Sequence, residues 1–322
     1  MTRSLPPNPS LEHLKNEAKS LLKAHHRHDV RACATLRSIP ALAAATDEEI
    51  LAIPLALHDA QHAVATAYGF ENWAALKAQL RSRVDQKLVR QQYGDSSRVG
   101  ARYALHAEFS VNDRAFPLWT FDQYGDIPAT ANILELGSGP GGLWLANRDR
   151  IPDGWNVIAT DASEGMVQEA RANLAALGQP FSFRVMDAGR IDLPAGHFDA
   201  VLANHVLPNV VDLEAGLAGI ARVLKPTGKL YAATNGPGHM LELRQLVLEL
   251  SQEVEGMATL AKMFGLNVNA RQFGLDTAPG LLREHFSHVE VRPHEDSLIV
   301  DQAQPLIDYV LSCMGADELP PE

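Results

Sequence analysis

An α/β fold built on a mostly parallel sheet and preceded by an all-α module is the architecture predicted by this sequence of 322 residues. Three observations predict it. Beyond residue 130, short apolar runs alternate with helical patterns. The first of those runs ends in the glycine-rich turn of "ILELGSGPGGLW" (133–144). Residues 1–80, by contrast, carry only helical spacing, and 46% apolar against 21% charged residues leaves enough apolar material for a core.

In the N-terminal part, "SLEHLKNEAKSLLKAHH" places Leu11, Leu14, Ala18, Leu21 and Leu22 on one helical face, with Ser10 as the expected N-cap. Amphipathic segments follow near 30–38 and 47–67, and "YGFENWAALKAQL" closes the module. The "HHRH" cluster puts only His25 and His28 on one side of a helix, too few for a metal site, so a solvated helix end is expected there. Residues 81–130 read as a helical bridge or lid containing "RVGARYALHAEFSVNDRAFPLWTF".

The strand candidates are 132–136, 156–160, 181–185, 198–204 and 229–235. Helices are expected near 141–150, 163–177 and 213–224, the last stopped by Pro226 and Gly228. A helical stretch over about 236–287 is expected to cap the pocket of the domain spanning 131–322. Two further strand-like runs in "HVEVRPHEDSLIVD" and a final amphipathic helix, "AQPLIDYVLSCM", complete the chain.

Charge narrows the choice of partners. Residues 1–80 hold 8 basic and 8 acidic residues, 81–103 hold 6 and 2, and the remainder 14 and 29. An acidic surface around the glycine turn repels phosphate backbones, so nucleic acid is not the expected partner. No apolar run reaches the ~18 residues of a membrane span, and the start has no apolar leader pattern. Cys33 and Cys313, two and far apart, read as free thiols; a cytoplasmic location is expected.

The glycine turn sits after the first strand of an open parallel sheet, where such folds bind ligands. Gly137, Gly139 and Gly142 satisfy the dinucleotide pattern G-x-G-x-x-G, whereas from Glu135 the same letters read E-x-G-x-G-x-G, the turn of S-adenosylmethionine-binding folds. Asp161, ending the second strand, suits the ribose diol of either cofactor. Met166 offers an apolar surface to an adenine. Asp187, ending the third strand and followed by small residues, suits an adenine amino group.

On "ILELGSGPG", "VIATDASEGMVQEAR", "RVMDAGRIDLPAGHFDAVLANHVL" and "ARVLKPTGKLYAAT", in that order, the chain from about Arg98 onward resembles the class I S-adenosylmethionine-dependent methyltransferases of the ubiquinone/menaquinone-methyltransferase-like type. The resemblance implies a Rossmann-like sheet of seven strands whose last pair, from "HVEVRPHED" and "SLIVD", is an antiparallel hairpin. It implies Glu135 with Gly137, Ser138, Gly139 and Gly141 beside the methionine moiety, Asp161 and Ala162 at the ribose, and Asp187 and Ala188 at the adenine. Asn204 and His205 would stand near the transferred methyl. "LPPNPSLEHLKNEAKSLL" and "DAQHAVATAYGFENWAALK" resemble the helical segment that precedes ankyrin repeats in some bacterial proteins, which implies docking or packing and no chemistry; a homodimer or protein docking through this module is the expected partner arrangement.

The function expected is therefore methyl transfer from S-adenosylmethionine to a small apolar or aromatic acceptor, without metal. His205 is the leading general base, with His106 and Glu108 on the preceding helix as second candidates. Two alternatives are a non-catalytic cofactor-binding protein and a dinucleotide-dependent oxidoreductase; the latter gives no reason for Asp187 or for "NHVL".

Overall fold

The computed structural model describes residues 11–77, 96–178, 180–253 and 272–313. Ser10, residues 81–95 of the expected bridge and 254–271 of the expected cap lie outside them. The chain divides into two compact units, Met1–Lys87 and Leu88–Glu322.

In the first unit, α1 (Leu11–His26), α2 (Arg31–Leu36), α3 (Asp47–Ala52) and α4 (Leu57–Ala67) close around Leu14, Leu21, Leu36, Ile50, Val64 and Leu76. The single helix expected over 47–67 is two, because Pro54 disfavours helical backbone at Ile53 and lacks an N–H to continue it. Thr46 and Glu49 form a capping box at the start of α3: the Glu49 carboxylate accepts from Thr46 N–H at 2.8 Å, and Thr46 Oγ1 accepts from Glu49 N–H at 3.3 Å. His25 departs from the solvated helix end expected of "HHRH". It is buried, with Nε2 hydrogen-bonded to the Ile50 carbonyl at 2.8 Å, because the leucine face of α1 turns it inward. His26 and His28 are exposed.

The second unit opens with α5 (Ser96–Phe109) and α6 (Phe116–Asp122). There follow β1 (Thr130–Leu136), α7 (Gly142–Ala146), β2 (Gly154–Asp161), α8 (Glu164–Leu174), β3 (Phe181–Val185), β4 (Phe198–Asn204), α9 (Leu213–Val223) and β5 (Leu224–Ala233). Helices α10 (Leu241–Glu253), α11 (Ala278–Arg283) and α12 (Ala303–Ser312) complete it.

The five strands form one sheet in the order β3-β2-β1-β4-β5, and every pairing is parallel. Strand order therefore reverses beside β1, which pairs with both β2 and β4. Alternation along β1 sends Leu134 and Leu136 to the layer containing Val201, Leu217 and Ile220, and Ile133 to the layer of Trp144, Trp155 and Tyr124. Both layers are apolar, as a parallel sheet covered on both faces requires.

The antiparallel hairpin is not formed among the described residues, so the sheet has five strands where seven were expected. Residues 288–302 run extended, and their one bridge is antiparallel, Leu298 with Ser110. The physical reason is where the polar groups find partners. Val111 N–H donates to the Ser297 carbonyl at 3.0 Å, Ile299 N–H to the Phe109 carbonyl at 3.0 Å, and Asn112 Nδ2 to the Glu295 carbonyl at 2.7 Å. Asp296 accepts from Ser110 Oγ at 2.7 Å and from Asn112 N–H at 3.2 Å. The segment Phe109–Asn112, at and just beyond the end of α5, thus supplies the backbone and side-chain partners of residues 295–299.

Candidate active site

Between β1 and α7 the chain makes its turn with Gly137, Gly139 and Gly141 at φ of 66°, 53° and 86°. These left-handed conformations suit glycine. At Gly137 a Cβ would also stand 2.8 Å from Val206, and at Gly141 3.0 Å from the Leu174 side chain. Gly139 differs: the nearest atom to such a Cβ is the Tyr103 hydroxyl at 4.0 Å, so space is left open above the turn. Tyr103 projects from α5 and is 57% exposed despite its size.

The turn is tied to β2 by three bonds. Ser138 N–H donates to the Thr160 carbonyl at 2.8 Å, and Thr160 Oγ1 to the Glu135 carbonyl at 2.7 Å. Asp161 receives Gly139 N–H on Oδ2 at 3.0 Å and Ser163 N–H on Oδ1 at 2.9 Å. Burial raises the Asp161 pKa, and these backbone donors partly offset it. Each carboxylate oxygen keeps a further lone pair, which a hydroxyl can use.

Glu135 is buried, and its Oε2 accepts from Trp144 Nε1 at 2.7 Å. Removal from water pushes its pKa up to about 7, with the charge of Asp161 adding to the rise. Asp187 is exposed; Oδ1 accepts Gly189 N–H at 2.8 Å in the local turn that Asp favours. Ala188 is buried and Ala162 exposed. Met166 is only 1% exposed, so it is a core residue of α8 and does not present the open apolar surface expected of it. Ser163 Oγ caps that helix by accepting Met166 N–H.

At the end of β4, Asn204 Nδ2 donates to the hydroxyl of Tyr124 at 2.9 Å. Tyr124 is buried, which holds its hydroxyl protonated. His205 follows at φ 56°, a strained backbone for a residue with a Cβ, and its N–H donates to the Ala233 carbonyl at 2.9 Å. Its imidazole stands 5.1 Å from the Phe116 ring. Water reaches His205, yet protein crowds around it, as happens to a side chain lining a recess; that crowding and the neighbouring His106 both lower its pKa. His205 is neutral at pH 7.

The sequence did not single out His239, Tyr309, Tyr124 or Trp144. Trp144 has its partner, Glu135, nine positions away, but the partners of the others lie far along the chain: Tyr124 pairs with Asn204, and His239 shares a hydrogen bond with Tyr309 at 3.2 Å while its ring stacks at 5.8 Å on His106. Glu108 is exposed on α5 and has no resolved tie to the group. Among the described residues no group of three His, Cys, Asp or Glu side chains is placed to hold a metal.

Residues 134–232 match the profile of a protein family described as "Methyltransferase domain". A demethylmenaquinone methyltransferase of Beutenbergia cavernae is 35% identical over 121 residues, covering 38% of this chain and 47% of that protein. A malonyl-[acyl-carrier protein] O-methyltransferase of Xylella fastidiosa is 33% identical, covering 46% of this chain and 50% of that protein. A ubiquinone/menaquinone biosynthesis C-methyltransferase of Shewanella oneidensis is 27% identical over 221 residues, covering 66% and 81%. The chain thus spans about half the length of the first two.

Proposed function

We infer that this chain, a class I S-adenosylmethionine-dependent methyltransferase by its motifs and by the matched domain at residues 134–232, transfers a methyl group to a small apolar or aromatic molecule. The observation that carries the reading is the joining of the open turn at Gly139 to the carboxylate of Asp161, at the point where strand order reverses. The donor set fits the cofactor. Asp161 would hold the ribose diol and Asp187 the adenine amino group, with Ala162 and Ala188 beside them, while Gly137, Ser138, Gly139 and Gly141 would let the methionine moiety approach the backbone.

When bound, the cofactor supplies an electrophilic methyl carbon and its own leaving group. What the protein adds is alignment, for which well-oriented reactants recover up to about 7–11 kcal/mol. Asn204, fixed by Tyr124, and His205, fixed by its bond to Ala233, stand at the end of β4 beside the turn. A neutral His205 takes a proton from an acceptor that must lose one, and His106 lines the same recess. Phe116 against His205 supplies a flat apolar wall suited to an aromatic acceptor. Relatives are named for C- and for O-methylation, so the atom methylated is left open. For residues 1–80 we propose docking or packing, including formation of a homodimer.

Calorimetric titration of the purified protein with S-adenosylhomocysteine tests this reading. Saturable one-site binding is expected; no heat at protein concentrations of about 50 μM would remove it.

A further inference from the structure

Beyond the base at His205 lies a second group of imidazoles, one of which, His106, the sequence offered only as an alternative base. His106 on α5 and His239 just before α10 stack at 5.8 Å with 12° between their planes. Tyr309 of α12 stands 6.3 Å from His106, edge to face, and shares its hydroxyl with His239 Nε2 at 3.2 Å. His106 lies near enough to both His205 and His239 to lower their pKa values, which puts the stacked pair in the neighbourhood of His205. The Phe116 ring lies beside His205.

The nitrogens of this group decide what it can do. Among the described residues, neither ring nitrogen of His106 nor Nδ1 of His239 has a protein partner, and none of them is sealed from solvent. Of the charged groups nearest the rings, Asp296 is held by Ser110, Asn112 and the Ser297 N–H, while Arg244 donates through Nη2 to the Pro237 carbonyl and keeps a buried Nε without a partner. Neutral imidazoles offer one donor and one acceptor nitrogen each. A hydroxyl answers both, donating to one ring and accepting from the other.

We propose that His106 and His239, with Tyr309 orienting His239, form a hydroxyl-binding wall of the acceptor pocket, so that the methyl acceptor bears a hydroxyl group away from the atom at His205. The proposal rests on the methyltransfer reading for its word "acceptor" but not for the binding itself. Tyr309 is a positioning residue: its hydroxyl fixes which nitrogen of His239 is left for the ligand.

The test is binding of two probes, 2-naphthol and naphthalene, to the full chain by saturation-transfer NMR, with and without S-adenosylhomocysteine. Wild type is expected to prefer 2-naphthol by about tenfold, the worth of one or two neutral hydrogen bonds. In His239→Phe that preference should fall to about twofold, with naphthalene binding unchanged as evidence that the recess is intact. Tyr309→Phe should reduce the preference partway and shift its pH dependence; this near-isosteric change decides the matter if His239→Phe fails to fold. Equal binding of the two probes by wild type, or a preference that survives both substitutions, would overturn the wall. A missing response to S-adenosylhomocysteine would instead remove the methyltransferase reading, leaving the probe ratio as it stands.

Discussion

At Gly139, backbone conformation and open space make separable demands. Its φ of 53° costs an added Cβ roughly 1–2 kcal/mol, whereas no side chain obstructs it within 4 Å except the Tyr103 hydroxyl at that limit. Gly139→Ala should therefore leave a folded protein, by circular dichroism, and yet weaken S-adenosylhomocysteine binding by about tenfold or more. Asp161→Ala should weaken it by a similar factor, since hydrogen bonds to a charged group are worth about 1.5–3 kcal/mol; an unchanged Kd would withdraw the ribose assignment. Glu135 makes a different prediction. Its folded pKa of about 7 lies above the ordinary 4.5, so the folded state holds a proton that the unfolded state gives up. The contribution is fully present below about pH 4.5 and is lost as pH rises through about 7. Glu135→Gln, which retains an acceptor for Trp144 Nε1, should raise stability at pH 8 by on the order of 1–3 kcal/mol and gain little at pH 4.5. Urea unfolding at the two pH values checks the sign.

Elements were legible in the sequence where local pattern is enough. β3 and β4 occupy the expected residues, and α8 and α9 start within a residue of expectation because Ser163 and Asp212 cap them with side-chain oxygens. The apolar pattern over 47–67 runs on across Pro54, so periodicity alone does not separate α3 from α4. Residues 288–301 look like strands by composition, but pairing depends on which partners the fold brings near, and those found are Phe109, Ser110, Val111 and Asn112. In the N-terminal unit, Thr46→Ala removes both the cap to Glu49 N–H and the hydroxyl bond to its carboxylate. A loss of about 1 kcal/mol is expected, read in the thermal transition of that unit alone.

For the whole molecule, the two compact units, Met1–Lys87 and Leu88–Glu322, each with its own core, predict two calorimetric transitions. S-adenosylhomocysteine at about 100 times its Kd should stabilise the larger unit by about 2.7 kcal/mol and leave the smaller unmoved. A single transition shifting as one would contradict this. By itself the sequence determined the alternation of strands and helices, the glycine turn, and the carboxylates at successive strand ends, because periodicity and turn chemistry act over a few residues. Tertiary structure alone decided that Met166 is packed away, that His25 is buried, and that His239 meets Tyr309 from 70 positions earlier in the chain. Such contacts depend on which faces the folded layers bring together, and no local pattern of residues encodes that.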